Sequence, residues 1–159
     1  MINRYLKQER LNELFEYRDG SLYNKTNRSS NSRKGNRIGT LSEQTVYERI
    51  SLDYKMYYSH RLIWIMHNGD IPECLFIDHI DGDKTNNRIE NLRVVTRQEN
   101  GFNTKAKGYA WNKQIQKYTA QIHVNGKKKH LGIFDLEEDA HQAYQVAKKK
   151  YHIIENRWK

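Results

Sequence analysis

An acidic residue and a histidine stand side by side at Asp78-His79, and two asparagines follow at Asn91 and Asn100. The pair lies in the short apolar segment 77–80, which predicts a strand, and Asn100 falls near the start of the next predicted helix. A carboxylate, an imidazole and an amide oxygen that converge could hold one divalent cation and activate one water molecule. These groups are sufficient to hydrolyse a phosphodiester bond.

Each of these groups has a separate task in that chemistry. A divalent cation neutralises charge on the phosphate and the leaving oxygen, while a base takes a proton from the attacking water. Magnesium prefers oxygen ligands and keeps several waters, so one carboxylate and one amide oxygen are sufficient protein ligands. A neutral histidine is a competent base near pH 7. Because adjacent strand residues point to opposite faces, Asp78 and His79 can act together only if a twist or bulge brings them alongside.

The elements around these residues are predicted to run strand, loop, strand, helix. Strands are expected at 77–80 and 92–95, joined by a polar loop. Thr96 is then placed as an N-cap, with Glu99 able to reach back to its amide in a capping box. This arrangement puts Asn100 in the first or second turn of the helix.

The preceding region is predicted to be rich in β-structure. Four strands are expected, at 14–17, 21–23, 47–52 and 56–58. Asp19-Gly20 predicts a hairpin between the first two because this dipeptide tolerates positive φ. A helix is expected at 60–67, ended by Asn68-Gly69.

The C-terminal third predicts a second hairpin. Segment 118–124 alternates between apolar and polar residues, and Asn125-Gly126 is a strong two-residue turn signal. A two-residue turn fixes the expected cross-strand pairs. They are Val124 with Lys127, Gln121 with His130 and Ala120 with Leu131. Leu131 and Ile133 are therefore expected on the apolar face, and Lys128 and His130 on the polar face.

A helix is predicted after this hairpin. Asp135 is placed as its N-cap, with Glu138 three residues further on, and the helix is expected to end near Tyr151. Its apolar stripe comprises Ala140, Ala143, Tyr144, Ala147 and Tyr151. We predict a three-stranded antiparallel sheet packed on one helix, and an α+β class for the whole chain.

The central motif resembles the HNH motif of phage and intron-type homing endonucleases. The similar positions are 78–83, 86–87, 91–92, 94–95 and 99–100, and segments 60–62, 68–69 and 71–72 resemble the residues that precede the motif. The resemblance implies a ββα-metal fold in which His79 is the general base, Asp78 and Asn100 bind the metal, and Asn91 braces the loop and orients His79. Asn86 and Asn87 are expected to serve turn geometry.

The C-terminal zone resembles the AP2 DNA-binding domain, whose three-stranded sheet lies in the major groove. The similar positions are 107–108, 111, 117–118, 120–122, 131–132, 134, 138–140 and 143–144. The candidate DNA-binding residues are Lys107, Trp111, Lys113, Lys117, Gln121, His123, Lys128 and His130. Ala110 and Asn112 stand where plant members carry Arg, so fewer bidentate contacts to guanine are expected.

Charge supports two domains. The 159 residues carry 28 Lys and Arg against 19 Asp and Glu, a net charge of +9. Residues 105–159 hold 12 basic and 5 acidic residues, whereas 1–104 hold 16 and 14. A basic third on a nearly balanced body predicts a polyanion-binding module. We place an endonuclease domain at 1–104, with its ββα-metal core near 72–104, and an AP2-like domain at 105–159.

The expected partner is double-stranded DNA and the expected cofactor is Mg²⁺, with Mn²⁺ as an alternative. Because Cys74 stands alone, no zinc ribbon is predicted, and no apolar run approaches the about 20 residues needed to span a bilayer. We expect no membrane association and a cytoplasmic location, in a bacterial host cell if the gene belongs to a phage. A monomer or a DNA-induced dimer is expected.

Three functional hypotheses follow. The leading one is a sequence-selective, metal-dependent DNA endonuclease of the homing type that nicks one strand or cuts both. An alternative is a non-catalytic DNA-binding protein, such as a repressor, that keeps the HNH region as a structural remnant. The intact set of Asp78, His79 and Asn100 argues against this alternative. A nonspecific nuclease or an RNA-binding protein is the third.

Overall fold

The computed structural model describes residues 6–29, 32–104 and 106–154. Lys105, where the second predicted domain begins, and residues 155–159 at its end lie outside this described part. The helices are α1 Gln8–Leu14, α2 Ser59–Asn68, α3 Arg97–Phe102 and α4 Glu137–Tyr151, and a short 3₁₀ helix spans Ile89–Asn91. The strands are β1 Phe15–Arg18, β2 Ser21–Asn24, β3 Arg37–Ile38, β4 Thr40–Leu41, β5 Glu48–Leu52, β6 Lys55–Tyr58, β7 Phe76–His79, β8 Leu92–Val95, β9 Tyr109–Asn112, β10 Lys117–Val124 and β11 Lys127–Phe134.

These strands form small antiparallel sheets, in the orders β1-β2-β3, β4-β5-β6, β7-β8 and β9-β10-β11. The described residues therefore form a mixed α and β fold. Within that part of the chain, no helix has the length and apolar character that crossing a membrane requires.

The chain divides into two compact units, one that ends at Val95 and one that begins at Thr96. The boundary predicted from charge, between 104 and 105, lies further along the chain. The difference is helix α3, which is anchored to residues of the second unit. Gln98 Nε2 donates to Asn125 Oδ1 at 3.2 Å, and the ring of Phe102 stacks on His152 with centroids 4.0 Å apart.

The first unit contains the predicted hairpins and helix. Asp19 and Gly20 have φ of 45° and 82°, as a type I′ turn between β1 and β2 requires. Helix α2 buries Leu62 and Ile63 completely and ends at Gly69, whose φ is 78°. These local predictions are confirmed. The apolar face of α2 forms the centre of the unit's hydrophobic core together with side chains from the flanking strands.

The predicted order of strand, loop, strand and helix is also confirmed. Strands β7 and β8 pair in antiparallel register, with Asp78 opposite Arg93 and His79 opposite Leu92. Helix α3 opens with the expected capping box. Thr96 Oγ1 accepts from the Glu99 amide at 3.2 Å, and Glu99 Oε2 accepts from the Thr96 amide at 2.8 Å.

In the second unit, a three-stranded sheet packs against α4. Ala140, Tyr144 and Ala147 of the predicted apolar stripe are buried, and Tyr144 and Ala147 form a core cluster with Ile122 of β10. Leu131 packs against the same cluster. This pairing of sheet and helix agrees with the sequence-based prediction for the C-terminal third.

The register of the second hairpin differs from the prediction beyond its first pairs. Val124 faces Lys127 and Gln121 faces His130 as expected, but Ala120 pairs with Gly132. A β-bulge at this point leaves Leu131 as the extra residue on β11. The bulge depends on glycine at position 132. Gly132 has φ of +148°, and a Cβ at this position would lie 2.8 Å from the Phe134 ring, closer than a side chain tolerates.

The bulge changes the face on which Ile133 lies. A one-residue shift of register moves every later side chain to the other face of the strand. Ile133 therefore pairs with Thr119 and is 52% exposed. The predicted place of Ile133 on the apolar face is wrong.

The start of α4 also differs from the prediction. Its N-cap is Leu136, which makes no side-chain capping bond. The Asp135 carboxylate instead pairs with Lys117 Nζ at 3.0 Å. The carboxylate that the sequence pattern assigned to capping the helix therefore binds Lys117 of β10 instead.

Gly108 offers a test of how the second unit is packed. Its φ is +73°, and an added Cβ would lie 2.0 Å from the Tyr144 ring. We expect Gly108→Ala to destabilise the unit by about 2 kcal/mol or more, because both backbone strain and overpacking act against it. Urea unfolding followed by fluorescence measures this loss.

The matched control is Gly101→Ala in α3, where an added Cβ meets nothing within 4 Å. Alanine favours a helix over glycine by about 1 kcal/mol, so this variant should be neutral or more stable. Equal stability of the two variants would contradict the packing described for Gly108.

Candidate active site

Asp78 and His79 are neighbours on strand β7, and both side chains are buried. Arg93 stands directly opposite Asp78 on β8. Its Nε and Nη2 both donate to Asp78 Oδ2, at 3.0 and 2.7 Å, and the two side chains are only 16% and 10% exposed. The carboxylate is therefore oriented by Arg93, which sequence reasoning missed. The register of the hairpin was the signal that could have identified it.

His79 is almost completely buried, at 3% exposure. Its Nε2 lies 2.9 Å from Oδ1 of Asn87, which is equally buried. An amide oxygen is an acceptor, so the ring donates from Nε2. Asn87 was expected to serve turn geometry, but its amide holds the histidine instead. Nothing in the single sequence distinguished it from the other polar residues of the loop.

Aromatic rings surround His79 on its own face. The centroid of His60 lies 5.1 Å away and that of Tyr47 lies 6.1 Å away. Burial lowers the pKa of His60 to about 3, with smaller contributions from the charges of His79 and Arg61. His60 is consequently neutral at pH 7 and packs beside His79 without adding charge.

A cation lies close to this group of rings. The Lys84 ammonium, on the loop between β7 and β8, sits 4.7 Å from the centroid of the Tyr47 ring. Lys84 is exposed, and Tyr47 is partly buried. The loop thus places a positive charge beside Tyr47, a ring that neighbours His79, and such a charge suits an anionic substrate.

Asn91 lies at the end of the same loop and braces it. Its Oδ1 accepts from the Asp81 amide at 3.1 Å, while its Nδ2 donates to Asp81 Oδ1 at 3.0 Å and to the Asn86 carbonyl at 2.8 Å. Three hydrogen bonds from one side chain fix the ends of the loop to each other. The loop in turn carries Asn87 to His79.

Asn100 lies on α3 in the second unit, and its backbone amide donates to the Thr96 carbonyl at 2.9 Å. Asn100 is therefore in the first turn of α3, within the first or second turn that the capping box predicted. Within residues 6–29, 32–104 and 106–154, no group of three or more His, Cys, Asp or Glu side chains could hold a metal ion.

The candidate DNA-binding residues lie mostly on one face of the second sheet. Gln121 pairs with His130 and His123 pairs with Lys128, so these four share the polar face. Lys113 follows β9 and lines a hollow together with Gln121.

The other three candidates are placed differently. Lys117 is in the ion pair with Asp135, and Lys107 is an exposed residue before β9. Trp111 pairs with Tyr118, and their ring centroids are 4.8 Å apart. By alternation, this places Trp111 on the face opposite Gln121.

Residues 57–102 match a family model described as HNH endonuclease. Protein 3.8 of Escherichia phage T7 is 33% identical over 97 residues, which cover 54% of this chain and 80% of that protein. The uncharacterized HNH endonuclease L560 of Acanthamoeba polyphaga mimivirus is 35% identical over 104 residues, covering 61% of this chain and 54% of that protein.

A shorter match joins the chain to a prophage protein. The SPbeta prophage-derived putative HNH homing endonuclease YosQ of Bacillus subtilis (strain 168) is 48% identical over 44 residues, covering 28% of this chain and 25% of that protein. Among solved structures, the HNH homing endonuclease I-HmuI, described for its DNA binding and cleavage, is 25% identical. That match covers 86% of this chain and 80% of the other, with a TM-score of 0.46.

Proposed function

The chain belongs to the HNH endonuclease family, and from this membership we propose that it is a metal-dependent, sequence-selective DNA endonuclease of the homing type. It hydrolyses phosphodiester bonds, with His79 as the general base. The observation that carries the proposal is the state of His79, which is buried on β7 and held at Nε2 by Asn87. This hydrogen bond fixes the orientation of the imidazole ring, as a general base requires.

The hydrogen bond decides which ring nitrogen acts. When Nε2 carries the proton that Asn87 accepts, the lone pair of the neutral ring is on Nδ1. Nδ1 then takes a proton from water, the water oxygen bonds to phosphorus, and the bond from phosphorus to the leaving oxygen breaks. A divalent cation held by Asp78 and Asn100 would neutralise the charge that develops on the phosphate and on the leaving oxygen.

Asp78 and Asn100 are the proposed metal ligands, an assignment that rests on the spacing of the family motif. The structure supports the fit at Asp78, whose carboxylate Arg93 already orients through two hydrogen bonds. Mg²⁺ is the proposed ion and Mn²⁺ the alternative, since both accept carboxylate and amide oxygens. Lys84 is suitably placed to attract the DNA backbone toward the site.

We further propose that the second unit is an AP2-like module that binds double-stranded DNA through the polar face of its sheet. The pairs Gln121–His130 and His123–Lys128 support this, as does the excess of basic residues in this part of the chain. Base contacts from Gln121 and phosphate contacts from the lysines fit the general division between base readout and positioning.

Lys128 provides a test of this module. Lys128→Ala is expected to weaken binding about equally for all DNA sequences and to reduce the salt slope of the binding constant by about 1, because one phosphate contact is lost. The control is Lys149→Ala in the last turn of α4, which removes the same charge outside the polar face. Equal losses of affinity from the two variants would contradict the proposed face.

The proposed function itself is tested by mapping DNA ends after incubation of plasmid and phage DNA with the purified protein. We expect discrete ends in Mg²⁺ and none in EDTA, and the ends will show whether one strand or both are cut. Specific binding without nicking in either Mg²⁺ or Mn²⁺ would overturn the nuclease assignment.

A further inference from the structure

A buried carboxylate from the N-terminal half of the chain lies behind the amide that holds His79. Glu48, the first residue of β5, has a side chain only 7% exposed. Its Oε2 lies 3.5 Å from Asn87 Nδ2, and its Oε1 accepts from Arg37 Nη2 at 2.5 Å. Asn87 is thus placed between a carboxylate and the imidazole.

The charge of Glu48 selects the orientation of the Asn87 amide. In the observed orientation, the NH₂ group faces the carboxylate and Oδ1 faces His79 Nε2. In the reversed orientation, the amide oxygen would face an anionic oxygen in a buried site, where such repulsion is weakly screened. This preference holds even though the bond of 3.5 Å is long.

A glycine makes room for the carboxylate. Gly39, between β3 and β4, has φ of +112°, and an added Cβ would lie 2.6 Å from Cδ and 2.7 Å from Oε1 of Glu48. Any larger residue would therefore displace Glu48 as well as strain the backbone. Arg37, two residues earlier, holds the other carboxylate oxygen.

We propose that Glu48 is a positioning residue for the nuclease reaction, which fixes the Asn87 amide and, through it, the proton of His79 on Nε2. The inference rests on the proposed function in so far as His79 is the base. Through Glu48, the sheet β4-β5-β6 contributes a positioning residue to the hydrolytic machinery.

Two readouts test the proposal, using Glu48→Gln and Asn87→Leu in the full chain. Nitrogen-15 NMR of the neutral His79 ring should show the proton on Nε2 in the unaltered protein and a mixture of the two tautomers in both variants. Single-turnover cleavage should fall about 10- to 100-fold in each, with DNA affinity within about twofold, because a misplaced group lowers the chemical step.

A double variant separates positioning from plain stability. If Glu48 acts through Asn87, Glu48→Gln should cause no further loss in the Asn87→Leu background. The matched control is Glu16→Gln, an exposed carboxylate of β1 paired with Arg18, which should change neither tautomer nor rate. Additive losses, or an unchanged tautomer in Glu48→Gln, would overturn the proposal.

The NMR result also keeps this inference separate from the proposed function. A protein that shows the expected tautomers but cuts no DNA would remove the nuclease assignment and leave the positioning by Glu48 in place. If cleavage depends on His79 but the His79 tautomer is unchanged in Glu48→Gln, the positioning role of Glu48 fails and the nuclease assignment stays.

Discussion

Asp78→Ala is expected to abolish Mg²⁺-dependent cleavage and also to destabilise the first unit by about 3 kcal/mol, since it leaves the largely buried charge of Arg93 without its carboxylate. The two losses have different causes. The first is the removal of a metal ligand, and the second is the removal of one partner of an ion pair. Urea unfolding and cleavage assays on the same sample measure them separately.

A second substitution distinguishes these causes. Replacing Arg93 as well, in Asp78→Asn with Arg93→Met, removes the uncompensated charge and should recover most of the stability. Cleavage should stay absent, because neither new side chain supplies the carboxylate. Recovery of cleavage together with stability would show that Asp78 has only a structural role.

His79→Ala is expected to lower the single-turnover cleavage rate by about 10²- to 10⁴-fold, the range typical of a lost general base. The affinity for DNA should change little, because the ring is buried and faces other rings of the protein. The rate constant at saturating protein and the dissociation constant measured in Ca²⁺ together give this comparison.

The control for this variant is His67→Ala. His67 is an exposed imidazole at the end of α2 whose Nδ1 bonds the Ile63 carbonyl. The His67→Ala variant also loses one imidazole from the first unit, and it should cleave DNA at the rate of the unaltered protein. A comparable loss of rate in both variants would point to a general effect of destabilising the unit.

Local patterns in the sequence predicted much of this fold. The turn at Asp19-Gly20, helix α2 and the capping box of Thr96 and Glu99 all depend on residues within a few positions of one another. Their conformations follow from φ preferences, side-chain periodicity and capping bonds, which a single sequence displays. The strand that carries Asp78 and His79 was predicted for the same reason.

The features that the sequence did not predict depend on contacts between distant residues. Asn87 and Glu48 are 39 positions apart, and neither has a local pattern that indicates a partner. The bulge beside Leu131 required knowledge of how Gly132 fits against Phe134, and Asp135 was diverted by Lys117 on another strand. Tertiary packing decided each of these positions.

The most direct test of the central claim follows the ends formed on a cleaved DNA target by the unaltered protein and by His79→Ala. Both are compared at equal occupancy of the DNA, in Mg²⁺ and in EDTA. We predict discrete ends only for the unaltered protein in Mg²⁺, with His79→Ala bound to the same DNA but uncut on that time scale. Cleavage by His79→Ala at the unaltered rate would contradict the assignment of His79 as the base.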